Sequence, residues 1–285
     1  MRLNSNRRVW PGGGICDTWR MPIVLLTLAA TALYLTAAAI LALPLLHRQP
    51  QPRAVGLGLG TLAVVLHFIV LFTAHRGGVD LHFFAALSLV GACIAALCLL
   101  VNLSRPVATL GVIVFPLASL LLGVDVFLAP STQPMTLEWQ IKLHAIFALL
   151  GYSVLSIAAL LAILLALQER ALHARRFNGL VRTLPPLTLT EALMFRLIGA
   201  GFVLLTLTLI TGILFVTNLF DQHLAHKTIL SIAAWIVFGA LLFGRWRYGW
   251  RGRRAVNLTL IGMGLLLLAF FGSRFVLEVV LKRVP

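Results

Sequence analysis

The sequence predicts an all-α fold: a polytopic membrane helical bundle of about eight transmembrane helices, with no soluble domain large enough to act alone. Three observations predict it. Of 285 residues, 60% are hydrophobic and only 11% are charged, against about 45–50% and about 25% in soluble domains. The apolar residues fall into runs of roughly the 17–25 residues that a helix needs to cross a bilayer core. The runs do not alternate apolar and polar, as strands of a membrane barrel would. Lipid offers backbone groups no partners, so the runs must be helices.

The expected spans are 22–46, 54–74, 83–102, 107–128, 143–167, 194–219, 228–244 and 255–279. Pro116 predicts a kink in the fourth. Residues 1–20 form a polar, glycine-rich N-terminal tail, and residues 21–285 carry the eight-helix domain. The first run is too long for a signal-peptide core and lacks a small-residue cleavage site. Met21 stands directly before it and is an alternative start to Met1.

The formal net charge of +15 would suggest nucleic acid in a soluble protein. Here the cations cluster in short segments between apolar runs, which is a topology signal, and no nucleic-acid partner is expected. Arg170, Arg175, Arg176 and Arg182 follow the fifth span, and Arg245, Arg247, Arg251, Arg253 and Arg254 follow the seventh. Both segments are expected on the cytoplasmic side. Arg48, Arg53 and Arg105 then lie inside, Arg76, Lys142 and Lys227 outside, and both termini in the periplasm. The basic tail with Arg2, Arg7, Arg8 and Arg20 conflicts with that orientation, and a start at Met21 would remove the conflict.

The eight histidines divide unevenly. His47 and His173 lie toward the inner side, whereas His67, His75, His82, His144, His223 and His226 lie at or toward the outer side. His67 stands inside the second span, roughly 10 Å below its outer end. An ionisable group at such depth is a functional candidate. Gly56, Gly60, Ala63 and Ala74 share its face, and small residues let another helix or a flat ligand approach. His144 opens the fifth span, with Ala148, Gly151, Tyr152 and Ser156 on its face. Two imidazoles on facing helices are able to hold one iron of a planar macrocycle between them. The bland reading of each is a hydrogen-bonding link between helices, worth about 1 kcal/mol.

Other polar residues have local explanations. Thr206, Thr208 and Thr211 can bond back to their own helix. Arg274 and Glu278 have the spacing of a helical ion pair. Trp139, Trp246, Tyr248 and Trp250 read as interfacial belts. Cys16, Cys93 and Cys98 form no metal-ligand spacing. No phosphate-binding loop, zinc-hydrolase or nucleophile-elbow motif is present. The spans hold no paired carboxylates and no repeated broken helices, which disfavours a pump or carrier.

The C-terminal half carries Pro185-Pro-Leu187, Leu204-Leu-Thr-Leu-Thr-Leu-Ile-Thr-Gly212 and Thr217-Asn-Leu-Phe220. It continues with Lys227-Thr-Ile-Leu-Ser-Ile-Ala-Ala-Trp235, Gly249-Trp-Arg-Gly-Arg-Arg254 and Leu268-Ala-Phe-Phe-Gly-Ser-Arg274. In order and spacing these resemble the YpjD-type inner-membrane proteins of the cytochrome c assembly superfamily, which also holds HemX-type and CcsA-type heme-handling proteins. The resemblance runs from about residue 21 to 285, resting toward the N-terminus on hydropathy, His67 and Gly78-Val-Asp-Leu81. It implies a bacterial inner-membrane protein that binds or positions heme at the periplasmic side. His67 and His144 are the implied axial ligands, and heme-delivery or cytochrome c maturation proteins the implied partners beside the lipid bilayer. Relatives that attach heme carry a tryptophan-rich outer loop, whereas Asp221-Gln-His-Leu-Ala-His-Lys227 has no tryptophan. The last outer histidine of the family is also absent, Ser273-Arg-Phe-Val-Leu-Glu278 standing in that region. The expectation is therefore heme handling without a chemical step of the chain's own. Two alternatives stay open: a membrane scaffold or regulator of tetrapyrrole or partner-protein levels without heme, and a metal-ion or solute transporter.

Overall fold

A computed structural model describes residues 15–46, 53–74, 83–104, 108–128, 138–173, 186–215 and 225–272. Among these are eight helices long and apolar enough to cross a membrane. They are α1 (Ile15–Leu46), α2 (Arg53–Ala74), α3 (Phe83–Ser104), α4 (Gly111–Leu128), α5 (Trp139–His173), α6 (Leu187–Phe215), α7 (Ala225–Tyr248) and α8 (Arg253–Leu267). A single 3₁₀ turn, Ala108–Leu110, leads into α4, and a π-helical turn, Leu268–Gly272, continues α8.

The helices form two groups. In the first, α1 packs on α2 and α4, and α3 packs on α4 and α2. In the second, α5 packs chiefly on α6 and also on α8, while α7 packs on α8 and α6. The principal seam between the groups is α3 against α5. The outward faces are lined by side chains such as Leu62, Val65, Phe72, Val203, Ile213 and Ile236, all exposed and all apolar. In a bilayer these meet acyl chains, so the protein is a multi-pass membrane protein in direct contact with lipid.

Between helices in lipid, close packing replaces the hydrophobic driving force. Bulky side chains are accordingly seated on glycines. The fully buried Phe115 of α4 lies over Gly60 of α2, where a Cβ would stand 2.5 Å from its Cζ. Phe238 of α7 lies over Gly262 of α8 at 2.7 Å from the same virtual position. Leu155 of α5 covers Gly201 of α6 in the same way.

Several boundaries depart from the spans read in the sequence. Helix α1 starts at Ile15, although its membrane-crossing stretch is Met21–Pro44. The preceding residues are polar helical turns, which carry no hydropathy signal. For the same reason α5 runs on to His173, six residues past the expected end, with Arg170 and His173 in its last turn. Cations there complement the helix dipole. At 35 residues and 1.5 Å per residue, α5 is about 50 Å long and overshoots a core of about 30 Å. Helix α6 begins seven residues early at Leu187, where the Pro186 carbonyl accepts the Leu189 and Thr190 amides at 3.0 and 3.1 Å. Pro116 lies inside α4, where it withholds the amide that Val112's carbonyl would accept. Within the described segment α8 gives way to the π turn at Leu268.

Candidate functional site

His67 of α2 is completely buried, and both ring nitrogens are engaged by neighbouring helices. Nδ1 lies 3.2 Å from the Tyr34 hydroxyl of α1, and Nε2 lies 3.0 Å from the Ser88 hydroxyl of α3. Tyr34 and Ser88 are also fully buried, and the Tyr34 ring meets the imidazole edge-on at 5.8 Å. The chain Tyr34–His67–Ser88 thus ties three helices of the first group together. At this depth no water competes, so each bond is kept.

The small-residue face around His67 is filled by helices. Gly56 faces Leu41 and Ile40 of α1, and Gly60 faces Phe115 of α4. Of the two uses the sequence allowed for that face, close approach of another helix is the one observed.

His144 lies in the second group, near the end of α5 that carries Trp139. Its Nδ1 is 3.1 Å from the Thr211 hydroxyl of α6. Its Cε1 would be 3.3 Å from a Cβ at Gly212. The Thr211-Gly212 pair therefore supplies both a polar partner and the room for the ring to lie against α6. Trp139 meets Phe215 of α6 edge-on at 5.9 Å and closes the same end.

On the rest of the His144 face, Gly151 rests against Leu204 of α6. The Tyr152 hydroxyl donates to the Leu266 carbonyl of α8 at 2.7 Å. Leu266 stands where α8 changes to π-helical register. The bond ties α5 to α8 at that change of register.

The two histidines thus answer to different partners on different helices, His67 to α1 and α3, His144 to α6. Among the described residues no three His, Cys, Asp or Glu side chains converge as a metal-ligand set. An imidazole-ligated heme suits these two sites unequally. His144 has one nitrogen committed to the protein, the arrangement usual for a metal-binding histidine. His67 has both committed, and it would reach iron only by exchanging Ser88 or Tyr34 for it. His47, His75, His82, His223 and the Arg274/Glu278 pair lie outside the described residues.

The opposite end of the second group holds a cluster that hydropathy concealed. Glu191 lies in the first turns of α6, where its side chain is only 11% exposed. One of its oxygens accepts from Arg245 Nη1 at 2.9 Å and from Arg251 Nε at 3.3 Å. Arg245 also donates to the Trp250 carbonyl at 3.2 Å, and its guanidinium lies 4.6 Å over the Phe195 ring.

The turn that sets this geometry is an αL helix C-cap with Gly249 as its left-handed residue. Gly249, at φ 65°, donates to the Arg245 carbonyl, and Trp250 donates to the Gly244 carbonyl, each at 3.2 Å. Trp250's ring covers Gly244, which has no Cβ to collide with it. Gly252, at φ 57°, then opens α8. Trp246 and Tyr248 remain exposed, as an interfacial belt requires, but Trp250 is packed inward.

Tyr34, Ser88 and Glu191 went unread in the sequence, because each acquires meaning only through a partner on another helix. Thr211 was read only as bonding back to its own helix.

Eight apolar helices with polar contacts buried between them define a polytopic membrane protein of the helix-bundle class. The Cytochrome C assembly protein family matches residues 55–281, which is most of the chain, and the chain belongs to that family. "Inner membrane protein YpjD" of Escherichia coli (strain K12) is 42% identical over 139 residues, 48% of this chain and 52% of that protein. An "Uncharacterized 28.8 kDa protein in nifR3-like 5'region" of Azospirillum brasilense is 40% identical over 143 residues, covering 50% and 53%. "Cytochrome c biogenesis protein CcsA" of Guillardia theta is 27% identical over 164 residues, covering 52% and 54%. The chain thus spans about half the length of the curated relatives it matches. No solved structure matches it.

Proposed function

We propose that this protein binds or positions heme at the periplasmic side of a bacterial inner membrane, in cytochrome c assembly, without a reaction of its own. The observation that carries this reading is the family match over residues 55–281. The CcsA relatives, named for cytochrome c biogenesis, and a YpjD relative named for the inner membrane support it. His144 and His67 are the residues that would hold the heme iron. His144 holds its position through Nδ1, and His67 would be available only on release from Ser88 or Tyr34. When bound, heme supplies the iron. The chain's own residues orient the imidazoles and keep water from them. Proteins of heme delivery or cytochrome c maturation are the proposed partners.

The test is a visible spectrum of the protein in mild detergent, oxidised and reduced, with and without added hemin. A Soret band weakened by His144→Ala supports the reading. A band unchanged in the His67→Ala/His144→Ala double variant removes the ligand assignment. No band after adding hemin overturns the heme reading.

A scaffold without heme is the second reading. The closure of both His67 nitrogens within its helix group favours it.

The orientation proposed has both termini in the periplasm, because Arg245, Arg247, Arg251, Arg253 and Arg254 cluster at one end. Alkaline phosphatase fused after residue 285 is then expected to be active in cells. An inactive phosphatase with an active cytoplasmic reporter at the same site reverses the topology.

A further inference from the structure

The contact between His144 and Thr211 determines more than a position. A threonine hydroxyl has one proton. At Thr211 that proton has two carbonyl acceptors, Leu207 O at 2.8 Å and Thr208 O at 3.1 Å. The neighbouring threonines follow the same rule, Thr206 donating to Phe202 O and Thr208 to Leu204 O, each at 2.8 Å.

Thr206 supplies an internal control. It also meets the Trp235 indole nitrogen at 2.9 Å, and an indole N–H can only donate. Thr206 must therefore accept from tryptophan while giving its own proton to the backbone. Thr211 stands in the same relation to α6 and to a ring nitrogen of a second helix. By the same rule, an oxygen whose proton goes to the backbone is left to accept, which calls for the proton on Nδ1.

We propose that Thr211 is a positioning residue that holds His144 as the Nδ1–H tautomer, leaving Nε2 with the lone pair that binds a transition-metal centre such as heme iron. Metal-ligating histidines commonly donate their other N–H to a protein acceptor, which fixes ring orientation and raises ligand basicity. Gly212 completes the arrangement by leaving space at Cε1. The metal named here rests on the heme reading above, but the tautomer does not.

Two measurements separate the two claims. The first is nitrogen NMR of ring-labelled protein in lipid bicelles without heme, with His144 assigned by the signals missing in His144→Ala. The expected result is a protonated Nδ1 and a bare Nε2 in the wild type and in Thr211→Ser. Thr211→Val should shift the equilibrium toward the other tautomer, whereas Thr206→Val should leave it unchanged. A wild-type ring protonated at Nε2, or a ring indifferent to Thr211→Val, overturns the proposal.

The second is hemin titration read at the Soret band. Thr211→Val should weaken binding by about 10–100-fold, the usual effect of losing such a partner, with recovery in Thr211→Ser. If hemin binds through His144 with unchanged affinity in Thr211→Val, the positioning role is overturned. If the wild type takes no hemin but shows the Nδ1–H tautomer, the heme reading fails and the tautomer assignment stands.

Discussion

His67→Leu is expected to lower the stability of the heme-free protein by about 2–3 kcal/mol, because it strands two hydroxyls at membrane depth. Leucine fills much the same volume, so little of the loss comes from a cavity. The two stranded groups are not equal. Ser88 can turn its proton back to a carbonyl of its own helix. Tyr34 has its hydroxyl at the end of a ring and cannot reach its own backbone. Most of the cost should therefore pass through Tyr34. The same substitution in a Tyr34→Phe background should cost about 1 kcal/mol or less, near the average for a hydrogen bond between membrane helices. The measurement is the unfolding midpoint in detergent, where the single variant should fall by roughly 4–12 °C. Equal losses in the two backgrounds would show that His67 contributes by packing alone. No loss in either would remove the three-helix tie.

Glu191→Ala is expected to cost a similar amount for a different reason. It leaves Arg245, half enclosed beneath Phe195 and Trp250, without its anion. Breaking a buried ion pair from one side typically costs about 3–5 kcal/mol. Arg245 is 29% exposed and Arg251 is 65% exposed, so solvent and headgroups screen part of that. About 2–3 kcal/mol is the discounted expectation. Glu191→Gln keeps a neutral acceptor and should lose less. Replacing Arg245 by leucine as well should restore part of the loss, because the stranded cation is then gone. A double variant that loses the sum of the two single effects would exclude coupling between these residues. The loss should also shrink in concentrated salt, whereas that of His67→Leu should not.

Both expectations arise from contacts between segments far apart in the chain. Glu191 meets Arg245 and Arg251 because the glycines at 249 and 252 adopt positive φ and fold α7 back onto α8. The sequence displayed those arginines as an orientation signal, and they also close a buried network. Trp250 read as one more aromatic of the interfacial belt, yet its ring covers Gly244. The Thr211-Gly212 pair was visible as a motif, but its relation to His144, 67 residues earlier, was not.

The sequence by itself determined the class of fold, the number of helices and the depth of His67. These depend on hydropathy, run length and the lack of backbone partners in lipid, all of which are local quantities. The polar extensions of α1 and α5 escaped it, because a helical turn outside the apolar core leaves no hydropathy signal. Only the tertiary structure decided what each imidazole touches. Helix neighbours in a bundle are chosen by glycine-to-side-chain packing at particular levels, such as Phe115 on Gly60. No periodicity along one helix records which face of another will meet it.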